Sequence, residues 1–172
     1  MASLFAEKQN AIVERWIALT LNTYPPEAAK IFARERDRFR NPIGFVVRRT
    51  LITLLNQLLA EEIHEEPMRQ ALDELIRIRA VQKFSASQAA GFPLLLKRAV
   101  QEVAADADPA DLSQFFEKID RLALMAFDVY AQCREQLFQI RMNEVCQRQA
   151  TPRSLGKANP NCGACPSQQT CS

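Results

Sequence analysis

From Leu112 to Val145 apolar side chains recur every three or four residues, and no proline or glycine interrupts the run before Pro152. Leu112, Phe115, Phe116, Ile119, Leu122, Ala126, Val129, Tyr130, Cys133, Leu137, Ile140 and Val145 fall on one stripe of an α-helix. A strand cannot use this spacing, because its side chains alternate faces with a period of two. A helix of about 40 residues is roughly 60 Å long. The radius of gyration of a domain this size is only about 16 Å. The helix must therefore break or extend past the body, and an extension suits pairing with a partner helix.

Helical periodicity also dominates the rest of the chain, which has four glycines in 172 residues and little β-branched alternation. Six helices and no strand are predicted, an all-α bundle with a long C-terminal helix and an irregular cysteine-rich tail. The first helix runs from about Leu4 to Leu21, with Ile12, Val13, Trp16, Leu19 and Thr20 on one face. Tyr24-Pro25-Pro26 stops it, since a proline disfavours helix in the residue before it. A short helix spans about Pro26 to Arg36. Asn41 then caps a third helix that opens at Pro42 and reaches about Leu59, carrying Phe45, Leu51, Ile52, Leu55 and Leu58. Pro67 opens a fourth through Leu72, Leu75, Ile76 and Arg79. Ser85-Ala-Ser-Gln88 has the form of a capping box and starts a fifth, ending near Asp106. Pro93 should kink that helix or mark a late start. Asp108 caps the last. The body is residues 1–149. The tail, 150–172, has no periodicity and too little apolar surface to fold alone.

Lys+Arg totals 22 and Asp+Glu 20; only Arg153 and Lys157 lie beyond residue 149, so the body balances at 20 against 20. A nucleic-acid binder needs a basic surplus, so that class is excluded as the expectation. No stretch reaches the length of a membrane span. The N-terminus lacks a basic segment followed by an apolar run, so no signal peptide is read and a cytoplasmic location is expected.

Three of the five cysteines lie in the last eleven residues, Cys162, Cys165 and Cys171, at spacing C-x2-C-x5-C, with fifteen residues between Cys146 and the first of them. Thiolates are soft ligands, and clustering them selects zinc or an iron–sulfur cluster over hard cations. In a reducing compartment such clusters are metal or redox groups rather than structural disulfides. Cys146, Cys162, Cys165 and Cys171 supply the four thiolates that a cuboidal cluster takes. Zinc competes, although structural zinc more often uses two paired motifs. A redox dithiol also competes, but that motif normally sits in a βαβ setting. Cys133, in the middle of the long stripe, reads as a small buried hydrophobe.

Other candidates are weaker. His64, the one histidine, stands among Glu61, Glu62, Glu65 and Glu66, and a solvated helix end is the favoured reading over a metal site. No nucleophile–base pair is visible, so no enzyme is predicted. Arg34, Arg36, Arg38 and Arg40 alternate with Glu35, Asp37 and Phe39 before the third helix. An anion site there is the functional reading. The favoured one is that Asp37 or Arg38 ties the turn to neighbouring helices. Trp16, Phe45, Phe84, Phe92, Phe115, Phe116, Phe127 and Tyr130 are expected mostly in the core.

Two resemblances add to this. The run Cys162-Gly-Ala-Cys165-Pro166-Ser-Gln168-Gln169-Thr-Cys171, with Cys146 upstream, resembles the N-terminal cluster motif of the cytosolic iron–sulfur scaffold P-loop ATPases. It implies a [4Fe–4S] cluster on those four cysteines. With no Gly-rich phosphate loop in the chain, it does not imply the ATPase. The body carries Thr23-Tyr24-Pro25, Asp37-Arg38-Phe39-Arg40-Asn41-Pro42-Ile43-Gly44, Ile78-Arg79-Ala80-Val81-Gln82, Phe84-Ser85-Ala86-Ser87-Gln88-Ala89 and Phe127-Asp128-Val129-Tyr130. Together these resemble the RsbRD N-terminal domain family over roughly residues 5–148. That resemblance implies an all-helical sensory or regulatory domain, which in stressosome-type proteins precedes a STAS output domain acting on a kinase or phosphatase partner. It also implies stand-alone relatives in anaerobes near sulfur-energy genes. Here the cysteine tail follows the body where a STAS domain would stand. The expected function is non-enzymatic: a regulatory protein whose cluster reports redox or iron state to a protein partner or a second copy bound through the helical body. An iron–sulfur carrier or electron-transfer subunit of a sulfur-metabolism complex is the alternative. An adaptor with a zinc-stapled tail is the third.

Overall fold

A computed structural model describes residues 2–34, 37–82 and 84–150. Among them are eight helices and no strand: α1 (Ala2–Glu7), α2 (Gln9–Leu21), α3 (Pro26–Arg34), α4 (Pro42–Leu59), α5 (Glu65–Val81), α6 (Ala86–Ala90), α7 (Leu94–Val103) and α8 (Pro109–Ala150). The chain is all-α, as its periodicity predicts. Two of the six expected helices are each divided in two. Gly91-Phe92-Pro93 separates α6 from α7, which is the late start that Pro93 foretells. The break at Lys8 has no proline or glycine behind it. It lets α1 deliver Phe5, buried, onto the ring of Phe115 at 4.9 Å.

α2 packs against both α4 and α7, and α5 lies against α4 and α6. Ile12, Val13, Trp16, Leu19 and Thr20 are all buried, as the face predicts. Trp16 is fully enclosed, and its indole N–H donates to the Phe92 carbonyl at 2.8 Å. An enclosed indole needs such an acceptor, because a stranded N–H would cost about 1–3 kcal/mol. Thr50 ties α4 to α5 by donating to the Ala71 carbonyl at 3.2 Å.

The start of α4 shows how one sequence motif sets a turn. Asn41 Oδ1 accepts from Gly44 N at 2.8 Å, and Asn41 Nδ2 donates to the Phe32 carbonyl of α3 at 3.0 Å. Gly44 is required for this: a Cβ there would lie 2.2 Å from Asn41 Nδ2. Asn41→Ala should therefore cost about 2 kcal/mol, near the top of the N-cap range, because it removes both the cap and the link to α3. Urea unfolding measures this. A loss below about 0.5 kcal/mol would show that water replaces the cap.

Along α8 the buried positions are Phe115, Ile119, Leu122, Ala126, Val129 and Cys133, at intervals of three and four. Lys97 pairs with Asp120 at 2.7 Å, and Lys118 Nζ donates to the Leu58 carbonyl at the end of α4 at 3.1 Å. The helix itself is unbroken to Ala150. Farther along the same stripe, Ile140 and Val145 are exposed. The chain partitions after Phe138, and from Gln139 to Arg148 every side chain is exposed. Of the aromatic set expected mostly in the core, Phe45 and Phe127 are corrections, being 36 and 55 % exposed.

Candidate functional site

Of the four predicted ligands, Cys162, Cys165 and Cys171 lie outside the described residues. Cys146 is exposed on α8. Cys133 is buried, and burial pushes its thiol pKa up, which disfavours the thiolate a metal would need. Its reading as a core residue therefore stands. Among the described residues, no group of three or more His, Cys, Asp or Glu side chains could hold a metal. His64 takes the position before α5 and is exposed, its backbone N–H donating to Gln57 Oε1 at 3.3 Å. Its neighbours Glu65 and Glu66 engage Arg69 and Gln70 one turn on. In the Arg34–Arg40 segment, Asp37 Oδ1 accepts from Phe39 N at 2.7 Å and Arg40 N at 3.3 Å. Asp37 thus closes the turn on itself, and it is Asn41 that reaches the neighbouring helix.

Three of the segments quoted above converge in space: Thr23-Tyr24-Pro25, the end of α5 and the start of α6. Their centre is Arg79, which has no exposed surface. Its Nε donates to Tyr24 Oη at 3.2 Å and its Nη1 to the Gln88 carbonyl at 3.0 Å. Its Nη2 donates to Thr23 Oγ1 at 3.2 Å and, more loosely, to the Thr20 carbonyl at 3.5 Å. The guanidinium carbon lies 5.0 Å from the ring centre of Tyr24, 5.2 Å from that of Phe84 and 5.3 Å from that of Phe92. Tyr24 stands edge-on to Phe84 and Phe32. Rings offer negative faces to a cation, and the oxygens are lone-pair acceptors, so the arrangement suits a charge that water cannot reach.

All of these acceptors are neutral, and among the described residues no carboxylate is within ion-pair range of Arg79. Burial accordingly pushes the Arg79 pKa below its ordinary value, with the Tyr24 interactions opposing. A guanidinium has so wide a margin that it remains charged at neutral pH. By contrast, Glu102, on the surface between Arg15 and Arg98, is held down to about 2 by their hydrogen bonds. Among the described residues, charges are paired at the surface, and the fully buried cation Arg79 has neutral partners.

Over this centre opens a cleft of about 320 Å³ lined by Thr23, Tyr24, Pro25, Gln82, Phe84 and Gln88. Sequence reasoning did not find it. The available signal was an arginine in the stripe Leu72, Leu75, Ile76, Arg79, where period 3.6 demands an apolar residue. A second, more apolar groove of about 400 Å³ lies along α2 and α4. There Arg48 pairs with Glu14, and Arg49 pairs with Glu74.

No helix among the described residues is long and apolar enough to cross a membrane. No curated protein and no solved structure matches the chain. A family model, described as the RsbT co-antagonist protein rsbRD N-terminal domain, matches residues 10–145. That span runs from α2 nearly to the end of α8 and includes the whole Arg79 centre, so this chain belongs to the RsbRD N-terminal domain family.

Proposed function

We propose that this chain is a non-enzymatic regulatory or accessory protein that couples the state of a [4Fe–4S] cluster to a protein partner. The helical body, residues 1–149, contacts the partner or a second copy, and Cys146, Cys162, Cys165 and Cys171 hold the cluster. Membership in a family of regulatory, protein-interacting domains supports the first half. The observation that carries the second is the cysteine spacing, C-x15-C-x2-C-x5-C. The chemistry of the donor set fits: four soft thiolates in a stretch that carries no acidic residue after Glu144 suit an anionic cluster. The exposure of Cys146 and the burial of Cys133 agree with the first being a ligand and the second not.

When bound, the cluster supplies a one-electron couple and a site sensitive to oxidants. The protein's part is to present the thiolates and to link them to a helix. Ligation by Cys146 ties the end of α8 to the tail, and loss of the cluster removes that tie. A regulatory partner can read that difference as a change between two states.

Anaerobic purification followed by iron, sulfide and zinc analysis and EPR tests the proposal. About four irons and four sulfides per chain are expected. One zinc and no iron would overturn it in favour of the stapled adaptor. Transfer of the cluster to an apo-acceptor would favour a carrier. Retention until oxidation, with partner affinity changing on loss, would favour a regulator.

A further inference from the structure

The Arg79 centre uses none of the cysteines and is built from other chemistry. We propose that the cleft above it binds a small organic anion, a carboxylate on a compact apolar body, held by Tyr24 and Gln82 beside the charge of Arg79.

Three observations carry this. The first is electrostatic. Arg79 is a whole positive charge enclosed by neutral oxygens and aromatic rings. Its field is not cancelled within the site, and the surrounding medium of low polarizability screens it weakly. The cleft lies where that field emerges, because Thr23, Tyr24 and Gln88, which bond the guanidinium, also form the cleft wall.

The second observation is the donor inventory. Tyr24 Oη accepts the Arg79 Nε hydrogen, so its own O–H is left to donate. A hydroxyl that already accepts from a cation is a stronger donor, since hydrogen bonds in a chain polarise one another. Gln82 Oε1 is buried and has no hydrogen-bond partner among the described residues. That oxygen is the enclosed end of a half-buried side chain, and the amide NH2 of Gln82 is the donor that it can offer the cleft it lines. Gln88 Oε1 accepts from Ser85 N at 3.0 Å in the capping box, which leaves its NH2 as another donor. The wall thus offers donors, and among the described residues it includes no carboxylate.

The third is shape. Pro25 and Phe84 give the cleft an apolar side, which a bare inorganic oxyanion would not use. Its volume is at the lower end of ligand sites, about 300–1,000 Å³, which suits a small acid better than a nucleotide. A neutral molecule of the same shape would gain nothing from the field of Arg79.

The test uses the full chain with benzoate as probe, benzamide as its neutral isostere and inorganic sulfate as a charge without an apolar body. Calorimetric titration and thermal unfolding are the readouts. Benzoate should bind saturably and raise Tm, with benzamide and sulfate each at least about tenfold weaker. Gln82→Glu places a like charge in the wall without entering the core, and it should weaken benzoate at least about tenfold while leaving the far-UV spectrum unchanged. Tyr24→Phe keeps the ring and removes the donor, and it should act in the same direction. Benzoate and benzamide binding alike would overturn the role of the charge. Equal binding of sulfate would overturn the apolar body. No binding by any of the three, or undiminished benzoate binding in a folded Gln82→Glu protein, would overturn the site.

Discussion

Arg79→Ala should lower folding stability by about 3 kcal/mol, the largest effect expected of any substitution of a charged residue in the body. Two opposing contributions decide the sign. Burying an ion costs several kcal/mol even after relaxation, and alanine removes that cost. Against it, the Tyr24 hydroxyl and the Gln88 carbonyl lose a charged donor where solvent cannot replace it, at about 1–3 kcal/mol each. The Thr20 carbonyl suffers less, because Thr23 Oγ1 also donates to it at 2.7 Å. Three ring faces lose a desolvated cation, worth about 0.5–2 kcal/mol apiece. A cavity is added among side chains that are almost fully buried. The losses exceed the relieved desolvation. In urea, with a slope of about 1–3 kcal/mol/M, the midpoint should fall by roughly 1–3 M. Arg79→Met refills the volume without the donors and should fall between the two proteins, which separates packing from hydrogen bonding. A midpoint within about 0.3 M of the parent for alanine would mean that water enters and solvates the stranded groups.

The contrast between what the sequence discloses and what it conceals follows the range of the interactions. Asn41, Ser85 with Gln88, and Pro93 act on backbone within three or four residues, and the caps and the interruption are where those residues predict them. The faces of α2 and α5 are equally legible, because period 3.6 is a local pattern. Lys8 is different. Glu7-Lys8-Gln9 contains no helix breaker, and the bend there is associated with a distant contact, Phe5 on Phe115. Phe45 and Phe127 mislead for the opposite reason. Aromatic side chains are expected inside by composition, yet apolar atoms also make up much of any protein surface. Arg79 combines both lessons. Its place on the buried stripe is legible, but Tyr24 is 55 residues away in sequence, and nothing local announces that the two meet. For the cysteines the position is reversed: their spacing is legible only in the sequence, and three of the four lie outside the described residues.

Single serine substitutions should divide the five cysteines into two classes. Cys162→Ser, Cys165→Ser and Cys171→Ser should each lose nearly all iron, because a thiolate ligand is removed outright. Altering a residue that merely supports a metal ligand already costs about 10–100-fold in affinity, so direct loss should exceed that. Cys133→Ser should keep its iron and lose about 1–3 kcal/mol of stability instead, since it puts a hydroxyl into the buried face of α8. Cys146→Ser is the decisive member. It lies on a described helix, it is exposed, and serine there is expected to leave the fold intact. If it loses the cluster while its unfolding midpoint stays at the parent value, α8 and the tail share one metal group, and the change on cluster loss is transmitted to the helix. If it keeps a full complement of iron, the fourth ligand is elsewhere, and the tail would bind its cluster without engaging the body. Iron and sulfide content measured beside urea unfolding distinguishes these outcomes. The regulatory reading depends on the first, because a cluster that touches no part of α8 gives the body nothing to report to a partner.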